Sequence, residues 1–553
     1  MLDAVVADLG AELPPPRTLT AAEVADLGEE LAAYHAHFAP FFTRSEQRVW
    51  AEVYLRGLLV ADVPRKNTEA MVLRLLGAGP GAEARVRALQ QFVGEGGWDD
   101  AVILAAHQRL VDETLGEEDG VLLIDGSDLP KQGNHSAGVA RQWCGATGKR
   151  DNCQAGVYLG YASRQGYTLL DRRLYLPACW FTPEYQERWD ACRIPADTPF
   201  QTKPALAAGM VEQLQAERRV RARWLACDEG YGQDPAFLDR VAASGLWYLA
   251  EVPRSTFVWP LVDPTDGTTP RARPTTGVPP ATSGRGRPPS KVRLQPDSPA
   301  SLPVEALAAL PAAQWHRYRL LEGSKGPLVA EFAAVRAVAV RDGLPGPDVW
   351  VLLRRPLPVP GETPEVKYYL SQAPAATPLA TLVRVSGLRW PIEACFEEGK
   401  EEVGLDHYEL RFWRGWYHHM TLVILAHHFL VRLQRRLDQR GGGPTASDRS
   451  ILATSTLPTP GAGAARAGGL LGRRGPAGVS APAPTGPLTA AFATPGAPTL
   501  AGAVTAALLR PRRHPGACLL PTAPQPRRLP LPPQAHPAAP DRARPVIYLS
   551  LYY

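Results

Sequence analysis

"GVLLIDGSD" (residues 120–128) sets four apolar residues, Val121 to Ile124, directly against Asp125, with glycine close behind. A bounded apolar run this short reads as a buried strand, and the expectation is a strand that ends in Asp125. "RWLACDEGYG" (223–232) repeats the arrangement with Asp228. A strand end holds its side chain rigidly while the loop beyond stays open to substrate. In α/β sheets, ligand sites gather at the carboxyl ends of strands. Taken alone, each Asp also fits a turn former or a helix cap.

The surrounding pattern supports a sheet. "CQAGVYLGYAS" and "GYTLLDRRLYLP" read as strands, "KPALAAGMVEQLQAER" and "DPAFLDRVAASG" as helices, and "LWYLAEVP" as a further strand. This succession predicts an α/β domain with a mixed sheet over residues 119–259. Residues 1–118 carry apolar positions at three- and four-residue spacing and read as a helical N-terminal domain. Residues 260–303 are rich in Pro, Gly and Thr and read as a flexible linker. Strand signals return over 304–377, as a β-rich insertion, and residues 378–440 complete the core with a helix from about Trp416 to Arg436.

Beyond Gly441 the composition turns to Pro, Ala, Gly and Arg. The stretch 441–553 has eleven Arg, no Lys and two acids, Asp448 and Asp541. Such a sequence buries too little apolar surface to offset chain entropy. It reads as a disordered tail, or as a frameshifted translation of a GC-rich gene. The tail holds the positive excess behind the net charge of +5, so the first 440 residues are net acidic. Overall charge is therefore no argument for nucleic acid, and local basic patches must carry it.

The 553 residues suffice for two to four domains of roughly 100–200 residues each. No apolar run approaches the ~18–20 residues that span a bilayer. "MTLVILAHHFLV" (420–431) is interrupted by His427 and His428. The N-terminus lacks the basic start and apolar stretch of a secretory signal. Seven cysteines form no CxxC pair, which points to a reduced cytoplasm and to neither a disulfide scaffold nor a zinc site.

"RWPIEACFEEGKEEVGLDHYELR" (389–411) is crowded with acids. Pro391 suits the first turn of a helix, which puts Glu393 in that turn. Lys400, seven residues on, shares its face. A Glu there also favours the helix dipole, and Glu397 with Lys400 makes an ordinary i,i+3 pair. Two strand-end acids and a helix acid together give an oxygen-rich site suited to Mg²⁺. Two such ions about 3.5–4 Å apart serve in-line phosphoryl displacement.

The chain resembles DDE transposases of bacterial insertion sequences, specifically the insertion sequence 701 group of the insertion sequence four superfamily. The resemblance covers roughly residues 35–437. It is carried by "DGSDLPKQG", "GVARQWCGATGKRDNCQAGVYLGYAS", "RLYLPACW", "WLACDEGYG", the 389–411 stretch and "GWYHHMTLVILAHHFL". It implies a ribonuclease-H-like core in which Asp125, Asp228 and Glu393 are catalytic and hold two Mg²⁺ ions, with Mn²⁺ able to substitute. The superfamily signature Tyr-x2-Arg-x3-Glu-x6-Lys matches at Arg389, Glu393 and Lys400; the resemblance implies that Arg389 and Lys400 hold DNA phosphate, and Ser386 stands at the Tyr position. The implied activity is endonucleolytic cleavage of double-stranded DNA at transposon ends and strand transfer to target DNA, by a homodimer. Glu397, Glu398, Glu401 and Glu402 are read as a solvated helix face.

Secondary signals surround these. "GRGRPPSK" (284–291) contains Arg285 and Arg287 in an AT-hook-like core that suits a narrow minor groove, or is a plain basic linker. "PRKN" (64–67) suits a contact with transposon ends or a solvated helix start. Lys131 is a candidate phosphate ligand. His418, His419, His427 and His428 read as core or surface histidines rather than metal ligands. Trp143, Trp390, Trp413 and Trp416 read as packing residues, with base stacking as the alternative. Two other functions stay open: a catalytically inactive DNA-binding remnant, and a paired-carboxylate hydrolase of sugars.

Overall fold

The computed structural model describes residues 21–278, 290–323, 326–357 and 365–440. Five helices come first: α1 (Ala21–Phe38), α2 (Ser45–Leu59), α3 (Thr68–Leu76), α4 (Ala82–Gly94) and α5 (Asp100–Leu115). Asn67 caps α3 and Asp99 caps α5, each accepting a hydrogen bond from a first-turn amide. Four strands follow: β1 (Val121–Pro130), β2 (Ala140–Cys144), β3 (Lys149–Ser163) and β4 (Gly166–Tyr175). Then come α6 (Gln186–Ala191), α7 (Lys203–Ala216), β5 (Trp224–Cys227), the short α8 (Glu229–Gly232), α9 (Pro235–Ala243), β6 (Trp247–Val252) and β7 (Phe257–Pro260).

The region expected to be linker contains brief strands, β8 (Thr276–Gly277), β9 (Arg293–Leu294) and β10 (Leu302–Pro303), followed by α10 (Val304–Leu307). Long strands β11 (His316–Gly323), β12 (Gly326–Arg341) and β13 (Leu344–Pro356) precede β14 (Lys367–Ser371). Three helices end the described chain: α11 (Leu379–Gly387), α12 (Pro391–Glu401) and α13 (Trp413–Arg440). The expectations for Arg285, Arg287 and the 441–553 tail lie outside the described residues.

The fold is mixed α/β. Among the described residues one twelve-stranded sheet runs β10-β7-β12-β13-β14-β6-β5-β1-β3-β2, with β11 on β12 and β4 on β3. Only β1, β5 and β6 pair in parallel; the other pairings are antiparallel. The strands between 316 and 371 therefore continue the sheet that carries Asp125.

The sheet is buried on both faces because its strands are apolar at successive positions. Val121, Leu123, Trp224, Ala226 and Leu249 join one core, with Ile392 and Phe396 of α12 and Trp416 of α13. Leu122, Ile124, Leu225, Cys227, Tyr248 and Ala250 join the other, with Val211 of α7 and Leu238 of α9. Each such buried Leu, Val or Phe stabilises the fold by roughly 1.5–3 kcal/mol.

Helix α13 ties this sheet to the N-terminal helices. Its four histidines are all buried, in agreement with the core reading. His419 Nδ1 lies 2.8 Å from the Tyr54 hydroxyl, and His428 Nδ1 lies 3.1 Å from that of Tyr34. His418 stacks on Trp98 with ring centroids 3.6 Å apart.

One expectation is corrected. The strand that begins "GVLLID" does not end at Asp125. It runs on to Pro130 because β3 keeps pairing with it to Cys153, while its parallel neighbour β5 stops at Cys227. "PRKN" stands at the start of α3: Asn67 caps the helix and Arg65 is exposed and paired with Glu409, while Lys66 is buried and donates to the Val60 carbonyl.

Candidate active site

The site grows out of strand register. In a parallel sheet, residues in register point to the same face, and residues two apart share it. The last parallel pairs are Ile124 with Cys227 and Cys227 with Ala250. One step further lie Asp125, Asp228 and Glu251. On the same face, one core row below, are Leu123, Ala226 and Leu249. Three apolar rows are thus each topped by an acid.

Local chemistry fixes each acid. The Asp125 carboxylate accepts from the Gly126 amide at 2.6 Å. Asp228 caps α8, accepting from the Tyr231 amide at 3.3 Å; the capping and site readings of this residue hold together. A Cβ at Gly232 would collide with the Glu251 backbone carbonyl, so glycine lets α8 sit directly on β6.

Helix α12 brings the fourth acid. Pro391 opens it and Glu393 lies in its first turn, as the sequence implies. Arg389, just before the helix, reaches three carboxylates. It is paired with Glu393, lies 3.6 Å from Asp125 and 4.0 Å from Glu251. Glu251 in turn accepts from Lys367 at 2.9 Å. The Glu393 side chain is 38 % exposed and that of Asp125 is 18 % exposed, so the helix acid faces the opening and the strand acid the floor.

The electrostatics follow from this crowding. Burial, with the neighbouring Asp228 charge added, pushes the Asp125 carboxyl up to about 7, against the pull of Arg389. Burial also raises Asp228, with Glu251 adding to the effect and Arg389 opposing it. Burial works against the charge of Arg389, but Glu393, Asp125 and Glu251 outweigh it and hold the guanidinium protonated beyond its ordinary range. Lys367 is likewise held charged by Glu251 despite its burial.

Among the described residues, no three His, Cys, Asp or Glu side chains form a ready metal-binding group. The cause is visible in the contacts. The Arg389 guanidinium lies between Asp125 and Glu393 and pairs with both.

The remaining sequence candidates are placed as follows. Lys400 lies seven residues along α12 from Glu393, about 10 Å up the same helix, half-buried and without a hydrogen bond or ion pair to the described residues. Lys131 stands apart from the acids. It is six residues past Asp125, about 20 Å along the strand direction. Its ammonium donates to the Tyr408 carbonyl at 2.5 Å and lies over the Tyr408 ring, and burial pulls its pKa down to about 8. Ser386 is buried and donates to Val383 O at 2.8 Å.

Glu398 corrects the solvated-face reading. It bonds His427 at 2.9 Å and the Tyr167 hydroxyl at 2.7 Å, which pins α12 to α13 and β4. A polar residue turned toward a buried histidine is an internal tie, and the crowd of nearby acids hid it. Glu251 and Lys367 were missed altogether. The signal for Glu251 was present: Trp-x3-acid occurs at Trp224–Asp228 and again at Trp247–Glu251.

A family model of DDE superfamily endonucleases matches residues 37–327, more than half of the chain. The chain belongs to the DDE superfamily endonuclease family. No curated protein matches it. The matched span of this DDE endonuclease includes Asp125, Asp228 and Glu251, and ends before Arg389 and Glu393. The family description supports a nuclease or transposase acting on DNA. No described helix is long and apolar enough to cross a membrane.

Proposed function

We propose that this DDE endonuclease is a transposase of the insertion sequence 701 group, built on a ribonuclease-H-like core. It cleaves double-stranded DNA at transposon ends and joins the freed end to target DNA. The observation that carries the reading is the placement of Asp125 and Asp228 one step past the last parallel pair of neighbouring strands, with Glu393 linked to Asp125 through Arg389.

The donor set fits divalent metal. Asp125, Asp228 and Glu393 offer only hard carboxylate oxygens, the ligands Mg²⁺ and Mn²⁺ prefer. Burial is the main cause that raises Asp125, and the Asp228 repulsion that adds to it is what a divalent cation relieves. These three residues would hold two ions, and bound ions would supply Lewis-acid stabilisation of the phosphoryl group and a deprotonated nucleophile.

The chain's own groups do the rest. Water attacks a phosphodiester in line; its P–O bond forms as the P–O3′ bond breaks, and the 3′-oxygen leaves as a hydroxyl. That 3′-hydroxyl then attacks a target phosphodiester in the same geometry. Arg389, among the acids, and Lys400, farther along α12, bind phosphate oxygens and neutralise charge as the bond changes. Arg389 is already desolvated beside the acids, so it exchanges a carboxylate partner for a phosphate at little reorganisation cost. The family resemblance supports a homodimer on paired ends.

A second reading has its own observation. Arg389 neutralises Asp125 and Glu393 together, an arrangement equally suited to an inactive DNA-binding remnant. Purified protein, Mg²⁺ and DNA carrying the gene's flanking inverted repeats separate the two. Nicking that vanishes in Glu393→Gln supports the transposase. Binding without nicking supports the remnant, and neither binding nor nicking removes both.

A further inference from the structure

The hairpin of β2 and β3 stands out from the rest of the sheet. Trp143 is 61 % exposed, the highest value among the exposed large apolar side chains described. The expectation of core packing holds for Trp416, which is buried, and fails for Trp143. The register explains why. Trp143 pairs directly with Arg150, and Arg141 with Asn152. In an antiparallel pair, opposed residues share a face, so Arg141, Trp143 and Arg150 project together. The other face is taken by Cys144 and Cys153, both buried. Arg141 and Arg150 are exposed and make no ion pair among the described residues. An indole left mostly in solvent beside two guanidinium groups without ion-pair partners among the described residues buries little surface for folding.

Its place in the sheet gives it a direction. β1 pairs with β3 so that Asp125 faces Tyr158, and no register shift occurs on β3 between there and Arg150. By alternation Arg150 falls on the same face as Tyr158 and Asp125. The hairpin therefore extends the β1–β3 ladder past the carboxyl end of the parallel strands, on the acid-bearing side. Arg150 is eight residues from Tyr158, about 26 Å along the strand, which is about eight base pairs of B-form duplex at the rise of about 3.4 Å per base pair.

We infer that the β2–β3 hairpin is a second DNA-contact element, engaging the duplex about eight base pairs from the phosphodiester cut at Asp125 and Asp228. Arg141 and Arg150 pair with phosphates across a groove, and Trp143 lies against sugar and base edges between them. A two-stranded ribbon of this width enters a groove, and apolar side chains placed there press on base steps. The partner is DNA rather than protein because the aromatic is flanked by unpaired cations: residues 140–153 hold three basic residues and one acid. This inference rests on the proposed function.

The test uses hydroxyl-radical footprinting of the full chain carrying Glu393→Gln on inverted-repeat DNA, so that no cleavage intervenes. Protection is expected at the cut site and again about eight base pairs away. Adding Arg141→Ala and Arg150→Ala should erase the distant patch alone and reduce the slope of log affinity against log salt by about two. Adding Trp143→Ala should weaken the distant patch and leave that slope unchanged. These side chains are exposed, and matching far-ultraviolet circular dichroism and melting of each variant confirm the fold. A distant patch that persists in the double variant overturns the inference. So does light scattering that shows loss of a dimer with the footprint unaltered, which would make this face a protein contact. Absence of any protection at the cut site marks failure of the proposed function, with the hairpin no longer at issue.

Discussion

The Arg389 guanidinium lies 3.6 Å from the Asp125 carboxylate while also paired with Glu393, so one cation bridges a strand acid and a helix acid. Under the proposed function this guanidinium exchanges a carboxylate partner for a DNA phosphate during turnover. Arg389→Ala should then leave Mn²⁺ binding intact or tighter, while cleavage falls by about 10–100-fold, the worth of one hydrogen bond to a charged group. Isothermal titration with Mn²⁺, beside single-turnover nicking, checks it. Weaker Mn²⁺ binding in the variant would contradict the bridging role.

Burial, with the Glu251 charge added, disfavours the ionised form of Asp228, so its neutral isostere should relieve the fold while ending function. Asp228→Asn keeps the acceptor that caps α8 and removes one of the paired charges. The metal-free variant should unfold about 1–2 kcal/mol less readily than the parent. Its DNA cleavage should be undetectable. Urea unfolding in chelator, with a nicking assay alongside, measures both; a destabilised variant would show that the carboxylate is structurally required.

Glu251 accepts from Lys367 and stands 4.0 Å from Arg389, without leaning over the opening as Glu393 does. Under the proposed function it positions those two cations. Glu251→Gln should lower the cleavage rate by about tenfold through misplaced charge, with DNA affinity changed by less than about twofold, on the scale of a partly exposed ion pair. Equal losses in rate and affinity would instead make it a binding residue.

Acid should loosen the joint between α13 and the N-terminal helices. Burial pulls His418 down to about 4 and His419 to about 3, opposed by the carbonyls they bond. Both stay neutral in the fold, while the unfolded chain takes up protons below its ordinary histidine value of 6.5. Their contribution is complete above pH 6.5 and is lost as pH falls through that value toward 4, by roughly 3 kcal/mol for His418. Urea midpoints measured from pH 7 to pH 4 should drop, and His418→Gln should flatten part of that drop. A flat profile in the parent protein would remove this account.

Much of the site was legible because it is written in local patterns. An apolar run closed by an acid marked Asp125 and Asp228, and Arg389, Glu393 and Lys400 share one short helical stretch. The bridging by Arg389 was not legible, since spacing of four along the chain says nothing of Asp125. Glu251 was hidden for a different reason. Its strand was foreseen, but an acid two residues from the end of "LWYLAEVP" gains meaning only once β6 is known to lie parallel beside β5. Trp143 and Trp416 look alike in sequence, and only the pairing of β2 with β3 separates the exposed one from the buried one. Glu398 likewise took its partner from α13, far along the chain.

The register row of acids has a consequence for how the protein is made. Asp125, Asp228 and Glu251 can align as soon as three strands meet, but Glu393 on α12 and Arg389 just before it are delivered by the ribosome much later. Contacts between residues so distant in sequence form late in folding. A nascent chain therefore carries the acidic row without its cation or its opening acid. Under the proposed function the full acid set is therefore assembled only when nearly all of the described chain has been synthesised, and an interrupted translation product lacks it.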